Sequence, residues 1–412
     1  MSNSDQPVAR TRHLFGVFKD HETDWVFNRT LQHMYVGAAQ IGECLYAAKR
    51  IDEKDLESWI REWTNVAQMV EGHGDESMRG GHAVSARGSY LRASNYYRTA
   101  EYGTPPSHPR FHELWRKSVE CFRRASKLFD PPVQVVEVPF EGYSLPGYFW
   151  HADSSREASP TLILVGGNDG TLEENFFSVG PEAHDRGYNF FTFDHPGHRG
   201  AVHLYPNCVK RPDPEVPYEA AVDFVEALPG VDDRLAMAGM SFGGYITART
   251  ISNDNRIKAA VLDSPVTDVH ELGFSSWKGI LTKIPKAILK KLIEKKMNAS
   301  PITRALKEYS AWSAGIEFTT DIQSMSDHYK SWFVSKERLS EITCPVLSLV
   351  SMGDGEVLIK QANEFHESVS SESKRLHVFS LEKDGSDDHV QLDNRMRGNQ
   401  VMFDWLDEVF IR

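Results

Sequence analysis

One serine stands in the sequence pattern of an activated nucleophile. The residues GMSFG at 239–243 follow an apolar run and precede a stretch with helical spacing, and Ser241 is their centre. A G-x-S-x-G pattern between a strand and a helix predicts a tight turn that exposes the serine Oγ. The backbone N–H of Phe242 then begins the helix, where it can stabilise an oxyanion. We predict Ser241 as a nucleophile and Phe242 as one donor of an oxyanion hole.

A serine hydroxyl needs a base to take its proton, and the base needs an acid to orient it. Asp354 comes just after an apolar run that ends at Ser351, and His389 lies on a polar loop before the last helical stretch. Serine, acid, histidine is the chain order of elbow enzymes. We predict Asp354 as the acid and His389 as the base, with Glu356 as a competing acid. The alternative interpretations are a solvated loop carboxylate and one surface histidine among 17.

A glycine-rich loop follows another apolar run. Its sequence, GGNDG at 166–170, leaves backbone N–H groups free to face a substrate. We expect Gly167 or Asn168 to supply the second oxyanion donor, although a simple β-turn would have a similar sequence. A second tight segment, DHPGHRG at 194–200, is expected to border the site, with His195 lining the substrate pocket rather than acting as a second base.

Alternating strands and helices are predicted to position these residues. Near-continuous apolar strands that alternate with helices indicate a mostly parallel sheet with helices on both faces, an α/β fold whose ligand site lies beyond the carboxyl ends of the strands. We predict a hairpin at 133–150, further strands at 161–165, 188–193, 235–239, 257–262, 345–351 and 376–380, and helices near 172–186, 215–228, 242–252, 356–370 and 392–411.

The chain divides by its periodicity. Residues 1–130 show helical spacing and almost no strand signal, which predicts an N-terminal helical domain with helices over 25–50, 53–70, 83–101 and 107–129. Residues 131–412 are the predicted catalytic α/β domain. The interval between its strands at 257–262 and 345–351 is too long for an ordinary crossover, so we predict a helical cap insertion at about 267–340.

The predicted cap carries an amphipathic helix, 286–297, and seven lysines from Lys278 to Lys296. Such a helix can bind a membrane surface, but more often it packs on its own protein and leaves its lysines solvated. Trp277 and other aromatic residues in the cap are compatible with a flat aromatic substrate, although they can equally be core residues. We therefore include Trp277 as a candidate substrate-binding residue.

Composition excludes several classes of protein. The net charge of −12 argues against a nucleic-acid partner, and no uncharged apolar stretch is long enough to span a membrane. The N-terminal residues lack an apolar leader segment, so a soluble cytoplasmic protein is expected. We expect neither a metal site nor a disulfide framework, because the four cysteines are far apart: Cys44, Cys121, Cys208 and Cys344. We also expect no cofactor.

Taken together, these motifs resemble the α/β-hydrolase superfamily over about 130–412. The helical segment SARGSYLRASNYY at 85–97, joined to the GGNDG loop, resembles one branch. That branch contains 2,6-dihydroxypseudooxynicotine hydrolase, the fungal polyketide-shortening pigment hydrolases and the fermentation-respiration switch proteins. The resemblance implies a homodimer whose helical domain covers the mouth of the site. A departure at His198-Arg199, where relatives often have one small or polar residue, argues against transferring substrate preference.

The resemblance also implies a role for Glu271, which follows the nucleophile by about thirty residues. A carboxyl buried in an apolar pocket would be pushed toward its neutral form and could protonate a carbanion or enolate. Asp268 and His270 compete for this assignment, and Glu271 could instead cap or ion-pair a cap helix.

The sequence thus predicts a serine hydrolase acting on a small carbonyl compound. The resemblance implies cleavage of a C–C bond next to a ketone in an aromatic or polyketide-like molecule. The alternatives are hydrolysis of a carboxylester, lactone or thioester, and acyl transfer or cyclisation by the same residues. A non-catalytic binding scaffold is a further alternative, against which the complete set of Ser241, Asp354 and His389 argues.

Overall fold

An eight-stranded sheet forms the centre of the protein in a computed structural model, which describes residues 14–155, 157–274, 284–319 and 322–411. The strand order is β1-β2-β4-β3-β5-β6-β7-β8. β1 and β2 form the predicted hairpin, β2 also pairs antiparallel with β4, and every other neighbouring pair is parallel. The strands are β1 Gln134–Phe140, β2 Tyr143–Trp150, β3 Ser159–Val165, β4 Asn189–Phe193, β5 Val231–Met240, β6 Ile257–Asp263, β7 Val346–Ser351 and β8 Lys374–Phe379.

From residue 14, where the description of the chain begins, five α-helices precede the sheet. They are α1 His21–Leu31, α2 Ile41–Ala48, α3 Leu56–Arg79, α4 Ala83–Tyr102 and α5 Phe111–Ser126. The single helix predicted over 25–50 is wrong, because α1 passes into a short 3₁₀ turn that ends at Gly37, where φ is +74°. The left-handed backbone at this glycine stops the helix, and α2 begins four residues later.

Helices cover both faces of the sheet and bury it. Leu235 and Met237 of β5 belong to the core on one face, whereas Ala236 and Ala238 belong to the core on the other. This alternation is that of a parallel sheet covered on both sides, so the predicted α/β fold class is confirmed. The helices that follow β3, β4 and β5 are α6 Leu172–Asp185, α7 Arg199–Leu204, α8 Glu215–Glu226 and α9 Phe242–Ile251.

The interval between β6 and β7 is helical in its described parts. It contains α10 Val269–Phe274, α11 Lys286–Ala299, α12 Pro301–Ser313, α13 Ile322–Tyr329 and α14 Lys336–Ser340. Leu289 and Ile293 of α11 are buried, while Ile288 and Leu292 are about half exposed. Trp277 lies outside the described residues. After β7 come α15 Gly355–Ser368, α16 Leu381–Asp384 and α17 Arg395–Ile411.

The N-terminal helices pack on both the sheet and the interval between β6 and β7. Ile302 of α12 belongs to the same apolar core as Trp25, Trp59 and Trp63. Tyr90 and Phe122 extend the core on one face of the sheet. In the described ranges, no helix has both the length and the apolar composition needed to cross a bilayer.

A buried ion pair joins the N-terminal helices to the α/β part of the chain. Arg199 at the start of α7 donates from Nη1 to both carboxylate oxygens of Glu101 in α4, at 2.6 and 2.7 Å. The two side chains are 0% and 1% exposed. Removing one partner of such a pair leaves a buried charge without its counter-ion, which is a large penalty in a medium of low dielectric constant.

We expect Glu101→Gln to reduce the free energy of unfolding by about 3–5 kcal/mol, the range for breaking a buried ion pair. Urea unfolding followed by tryptophan fluorescence measures the change. Glu408→Gln is the matched control, because Glu408 pairs with Arg375 at the surface, where both side chains are about half exposed and a pair contributes little. Equal, small losses in the two variants would contradict the prediction.

Candidate active site

Ser241 lies in a strained turn between β5 and α9. Its backbone has φ 57° and ψ −119°, a conformation that residues other than glycine rarely adopt. The turn is this tight because neighbouring backbone passes close by: a Cβ on Gly244 would lie 2.0 Å from the carbonyl oxygen of Ser264, and one on Gly239 would lie 2.2 Å from that of Gly243. The structure therefore has the nucleophile elbow that the motif predicts.

Two hydrogen bonds connect Ser241, His389 and Asp354. His389 Nε2 lies 2.7 Å from Ser241 Oγ, and His389 Nδ1 lies 2.5 Å from Asp354 Oδ1. The imidazole thus bridges the hydroxyl and the carboxylate, as a base oriented by an acid requires. The competing acid, Glu356, is exposed at the start of α15.

Contacts other than the one to His389 fix the orientation of the Asp354 carboxylate. It is fully buried in the turn after β7, where its Oδ2 accepts hydrogen bonds from the Ser351 backbone N–H at 2.8 Å and from Ser264 Oγ at 3.0 Å. The oxygen facing His389 is therefore held in one orientation. Ser264 follows β6, so two adjacent strands support the carboxylate.

The histidine loop is held by an N-terminal helix. Trp25 of α1 donates from its indole N–H to Asp388 Oδ2 at 3.1 Å, and Asp388 Oδ1 accepts from the backbone N–H of His389 at 2.9 Å. Val390 packs in the core of the N-terminal helices. Sequence reasoning missed Trp25 and Asp388, because two residues so far apart in the chain carry no local pattern that connects them.

A second buried hydrogen-bond network holds the residues that follow His389. Arg395 donates to Asp263 Oδ2 at 2.8 Å, and Gln391 donates to Asp263 Oδ1 at 3.0 Å. Burial raises the pKa of Asp263, and Arg395 and Gln391 oppose that rise. These contacts fix the turn that follows His389, where Val390 and Gln391 have positive φ angles.

The GGNDG loop lies against the nucleophile. A Cβ on Gly167 would be 3.3 Å from Ser241 Cβ and 3.9 Å from Ser241 Oγ, so any larger residue here would crowd the serine. Gly167, Asn168 and Asp169 are half-buried, as is Ser241. The structure therefore brings Gly167, one of the two predicted donor residues, close to Ser241, and Asn168 follows it in the same loop.

Side chains from outside the loop fix its position. Asp169 accepts from Tyr102 at 2.6 Å and from Arg29 at 3.1 Å, and its backbone carbonyl accepts from Arg199 at 3.1 Å. Arg29 also donates to both oxygens of Glu174, each at 2.6 Å. The N-terminal helices thus contact the predicted oxyanion loop as well as the histidine loop.

Glu271 does not have the surroundings expected of a proton donor. Its carboxylate forms an ion pair with Lys360 at 2.7 Å, accepts from Gln361 at 3.3 Å and is 24% exposed. Of the two possibilities, these surroundings match the ion pair and not the apolar pocket, because α10 packs against α15 and brings Glu271 to a lysine there. Asp268 accepts from the Glu271 backbone N–H, and His270 contacts Ser326.

His195 is buried and lines a small cavity with Lys210, Phe242 and Trp332. Burial, with the neighbouring His198, holds its pKa well below the ordinary value. His195 is therefore neutral, and its Nδ1 contacts the carbonyl oxygen of Pro196 at 3.0 Å. Within the described ranges, no three His, Cys, Asp or Glu side chains are grouped as metal ligands.

The sheet order, the elbow and the bridging histidine are those of an α/β hydrolase. The family model described as "Serine aminopeptidase, S33" matches residues 173–381. The "Alpha/beta hydrolase xenA" of Xenoacremonium sinensis is 30% identical over 369 residues, covering 83% of this chain and 84% of that one. The "Hydrolyase poxO" of Penicillium oxalicum is 30% identical over 351 residues, covering 80% and 82%.

Solved structures extend the likeness to the N-terminal helices. The crystal structure of 2,6-dihydroxy-pseudo-oxynicotine hydrolase aligns with a TM-score of 0.70 at 21% identity, covering 92% of this chain and 95% of that one. The structure named AbyA5 aligns with a TM-score of 0.62 at 16% identity, covering 92% and 93%. The chain belongs to the α/β-hydrolase family. The resemblance to the branch that contains 2,6-dihydroxypseudooxynicotine hydrolase is confirmed.

We expect Trp25→Phe to slow the reaction of Ser241 with a fluorophosphonate probe about 3- to 10-fold. The change removes the indole donor to Asp388, and one hydrogen bond is worth about 0.5–1.5 kcal/mol. The rate is measured by quenching the reaction with a fluorescent probe at a series of times and quantifying the labelled protein. Trp59→Phe is the control: it removes an indole of the same core that donates to the Thr99 carbonyl, away from the histidine loop. A Trp25→Phe rate equal to that of Trp59→Phe would refute the positioning of His389 by α1.

Proposed function

We propose that this hydrolase uses Ser241 as its nucleophile, His389 as its general base and Asp354 as the residue that orients the imidazole. The observation that carries the proposal is the bridge of His389 between Ser241 Oγ and Asp354 Oδ1, at 2.7 and 2.5 Å. His389 takes the proton as Ser241 Oγ attacks a substrate carbonyl carbon. The buried Asp354 stabilises the imidazolium that forms.

The attack places a negative charge on the former carbonyl oxygen. In the proposed mechanism, the backbone N–H of Phe242 and one from the Gly167–Asn168 segment stabilise this oxyanion. The approach of Gly167 to Ser241 supports that assignment. The hydrogen bonds to the Asp169 side chain keep the segment in place as the charge develops, so little reorganisation is needed.

Collapse of the tetrahedral intermediate breaks the bond to the leaving group, which takes the bonding electron pair and the proton held by His389. Water then attacks the acyl group on Ser241, with His389 again as base, and releases a carboxylic acid. No oxidation or reduction takes place. The sum is the addition of one water molecule across the cleaved bond.

We propose a C–C bond next to a ketone, in an aromatic or polyketide-like molecule, as the bond cleaved. The likeness in fold to 2,6-dihydroxy-pseudo-oxynicotine hydrolase supports this substrate class. The negative charge that develops on the leaving carbon must be delocalised. The leaving carbon is therefore the α-carbon of a second ketone or a position of an activated ring. Because Glu271 is ion-paired with Lys360, His389 is the proton donor that we assign to this step.

The ion pair of Glu271 also favours a second candidate, hydrolysis of an ester, lactone or thioester. An alkoxide or thiolate leaving group needs no donor beyond His389.

Homodimer formation, a cytoplasmic location and the division into a helical domain, a catalytic domain and a cap stay predictions.

A fluorophosphonate probe tests the nucleophile directly. We expect a covalent adduct on Ser241 of the wild type, located by peptide mass spectrometry, and none on Ser241→Ala. We expect Asp354→Asn to keep the fold and lower kcat for a 4-nitrophenyl ester by about 10⁴-fold, the effect of losing the carboxylate that orients a triad histidine. A wild type without an adduct would exclude the serine mechanism, and an active Asp354→Asn variant would exclude Asp354.

The leaving group is tested with two substrates, 1-phenyl-1,3-butanedione and 4-nitrophenyl acetate. We expect the wild type to cleave the diketone into a ketone and a carboxylic acid, detected by chromatography. Ester turnover without diketone cleavage would select the second candidate. We expect Glu271→Gln and the control Lys360→Met to change both activities by less than about threefold, because the pair lies partly in solvent and such pairs contribute little. A selective loss of diketone cleavage in Glu271→Gln would restore Glu271 as a proton donor.

A further inference from the structure

Lys210 is a buried lysine beside the predicted oxyanion hole. Its side chain is almost fully enclosed. Its Nζ donates to Asn168 Oδ1 at 2.7 Å and to Ser313 Oγ at 2.6 Å. The backbone is fixed as well, because Lys210 N donates to the Ser313 carbonyl at 2.9 Å. The ammonium is therefore held in one place, between the GGNDG loop and the end of α12.

The charge of Lys210 has no direct counter-ion among the described residues, since no carboxylate there lies within 4.0 Å of Nζ. Burial lowers the pKa of Lys210 to about 7; Asp169 acts in the opposite direction and Arg199 acts in the same direction as burial. A buried cation without a paired anion is costly. Lys210 therefore does not serve to stabilise the fold, and its burial indicates a functional role.

Two histidines and a tyrosine around Lys210 are held in their neutral forms. Burial lowers the pKa of His195 and of His328, and Lys210 lowers both further. The ring of Tyr309 lies 5.9 Å from Nζ, and burial raises the pKa of its hydroxyl. These three groups therefore add no positive charge beside Lys210. The other cations at the loop, Arg199 and Arg29, donate to Asp169, whereas Lys210 is the cation that binds Asn168.

Lys210 contacts the loop expected to form one half of the oxyanion hole and lies near the side chain of the residue expected to supply the other half. On one side it binds the side chain of Asn168, the residue after Gly167, and Gly167 approaches Ser241. On the other side its Nζ lies 5.8 Å from the ring centroid of Phe242, whose backbone N–H is the other predicted donor.

We propose that Lys210 is a positioning residue of the oxyanion hole: through Asn168 it holds the GGNDG loop in place, and in its protonated form it adds a positive charge beside the oxygen that becomes an oxyanion. This inference rests on the proposed serine mechanism. The neutral substrate carbonyl gains little from the charge, whereas the tetrahedral transition state supplies the negative charge that Lys210 lacks. An interaction that strengthens only in the transition state raises kcat and leaves KM nearly unchanged.

The test compares Lys210→Met with wild type on 4-nitrophenyl acetate. Methionine is a linear side chain that fills much of the same space without charge or donors. We expect kcat to fall about 10- to 100-fold, less than the 10²–10³ for deleting a direct oxyanion donor, and KM to change by less than about threefold. Lys258→Met is the control, because Lys258 is an exposed lysine of β6 that contacts the Asn255 carbonyl. It is expected to keep wild-type kcat and KM.

A second variant, Asn168→Ala, removes the group through which Lys210 acts and keeps the backbone N–H. We expect a similar fall in kcat, and we expect the double variant to lose little more than either single variant, because both changes break one interaction. Asn168 is half-buried in a loop, so this variant tests the proposal even where Lys210→Met does not fold.

The outcomes separate this inference from the proposed function. A wild type that fails to label with the fluorophosphonate on Ser241 overturns both. A wild type that labels, with Lys210→Met or Asn168→Ala at wild-type kcat, overturns the role of Lys210 alone. A loss confined to KM, or to the thermal midpoint of unfolding, also overturns it, since that is what substrate contact or simple loop stability would give. Fully additive losses in the double variant would show that Lys210 does not act through Asn168.

Discussion

The bridge of His389 between Ser241 and Asp354 depends on three loops that leave three different strands. Each of its hydrogen bonds tolerates an error of only a few tenths of an ångström, yet the three residues share no local sequence. The parallel sheet brings the three loops together, because β5, β7 and β8 all end at the same edge. Side-chain contacts then set the remaining distances: Ser351 and Ser264 fix Asp354, and the elbow fixes Ser241.

The sheet does not by itself fix the histidine loop or the GGNDG loop, and here the N-terminal helices contribute. Trp25 holds Asp388 beside His389, while Arg29 and Tyr102 hold Asp169. The helices are therefore part of the machinery that orients the site and more than a cover over it. Because these contacts are polar and enclosed, a displaced helix would leave unpaired buried groups, so the arrangement favours a single docked geometry.

The parts of the site that sequence predicted are those with a local physical signature. Ser241 has glycines that only a close backbone approach requires, and Asp354 and His389 come after apolar strands in the chain order of elbow enzymes. The central strands were predictable because most of their residues form apolar runs, as in the LILV of β3 and the LAMAG of β5. Lys210 was not predictable, since a lone lysine in a loop is normally solvated and nothing nearby in sequence shows that α12 encloses it. The choice between the two interpretations of Glu271 could not be made from sequence for the related reason that its partner, Lys360, lies on a helix whose packing against α10 has no sequence pattern.

The buried charges suggest how stability and chemistry are divided in this molecule. Enclosed ion pairs such as Arg199–Glu101 contribute little net stability compared with apolar residues of the same size, because desolvation offsets the attraction. They restrict geometry instead, since a guanidinium and a carboxylate satisfy each other only in a few orientations. Arg199 also donates to the carbonyl of Asp169, so the same residue that joins the helices to the α/β part of the chain touches the loop beside the nucleophile. A substitution in this network therefore acts on the alignment of the loop with Ser241 as well as on folding. Lys210 contacts Asn168 in the same loop and has no ion-pair partner among the described residues. It is therefore the cation that we propose to act on the reacting oxygen.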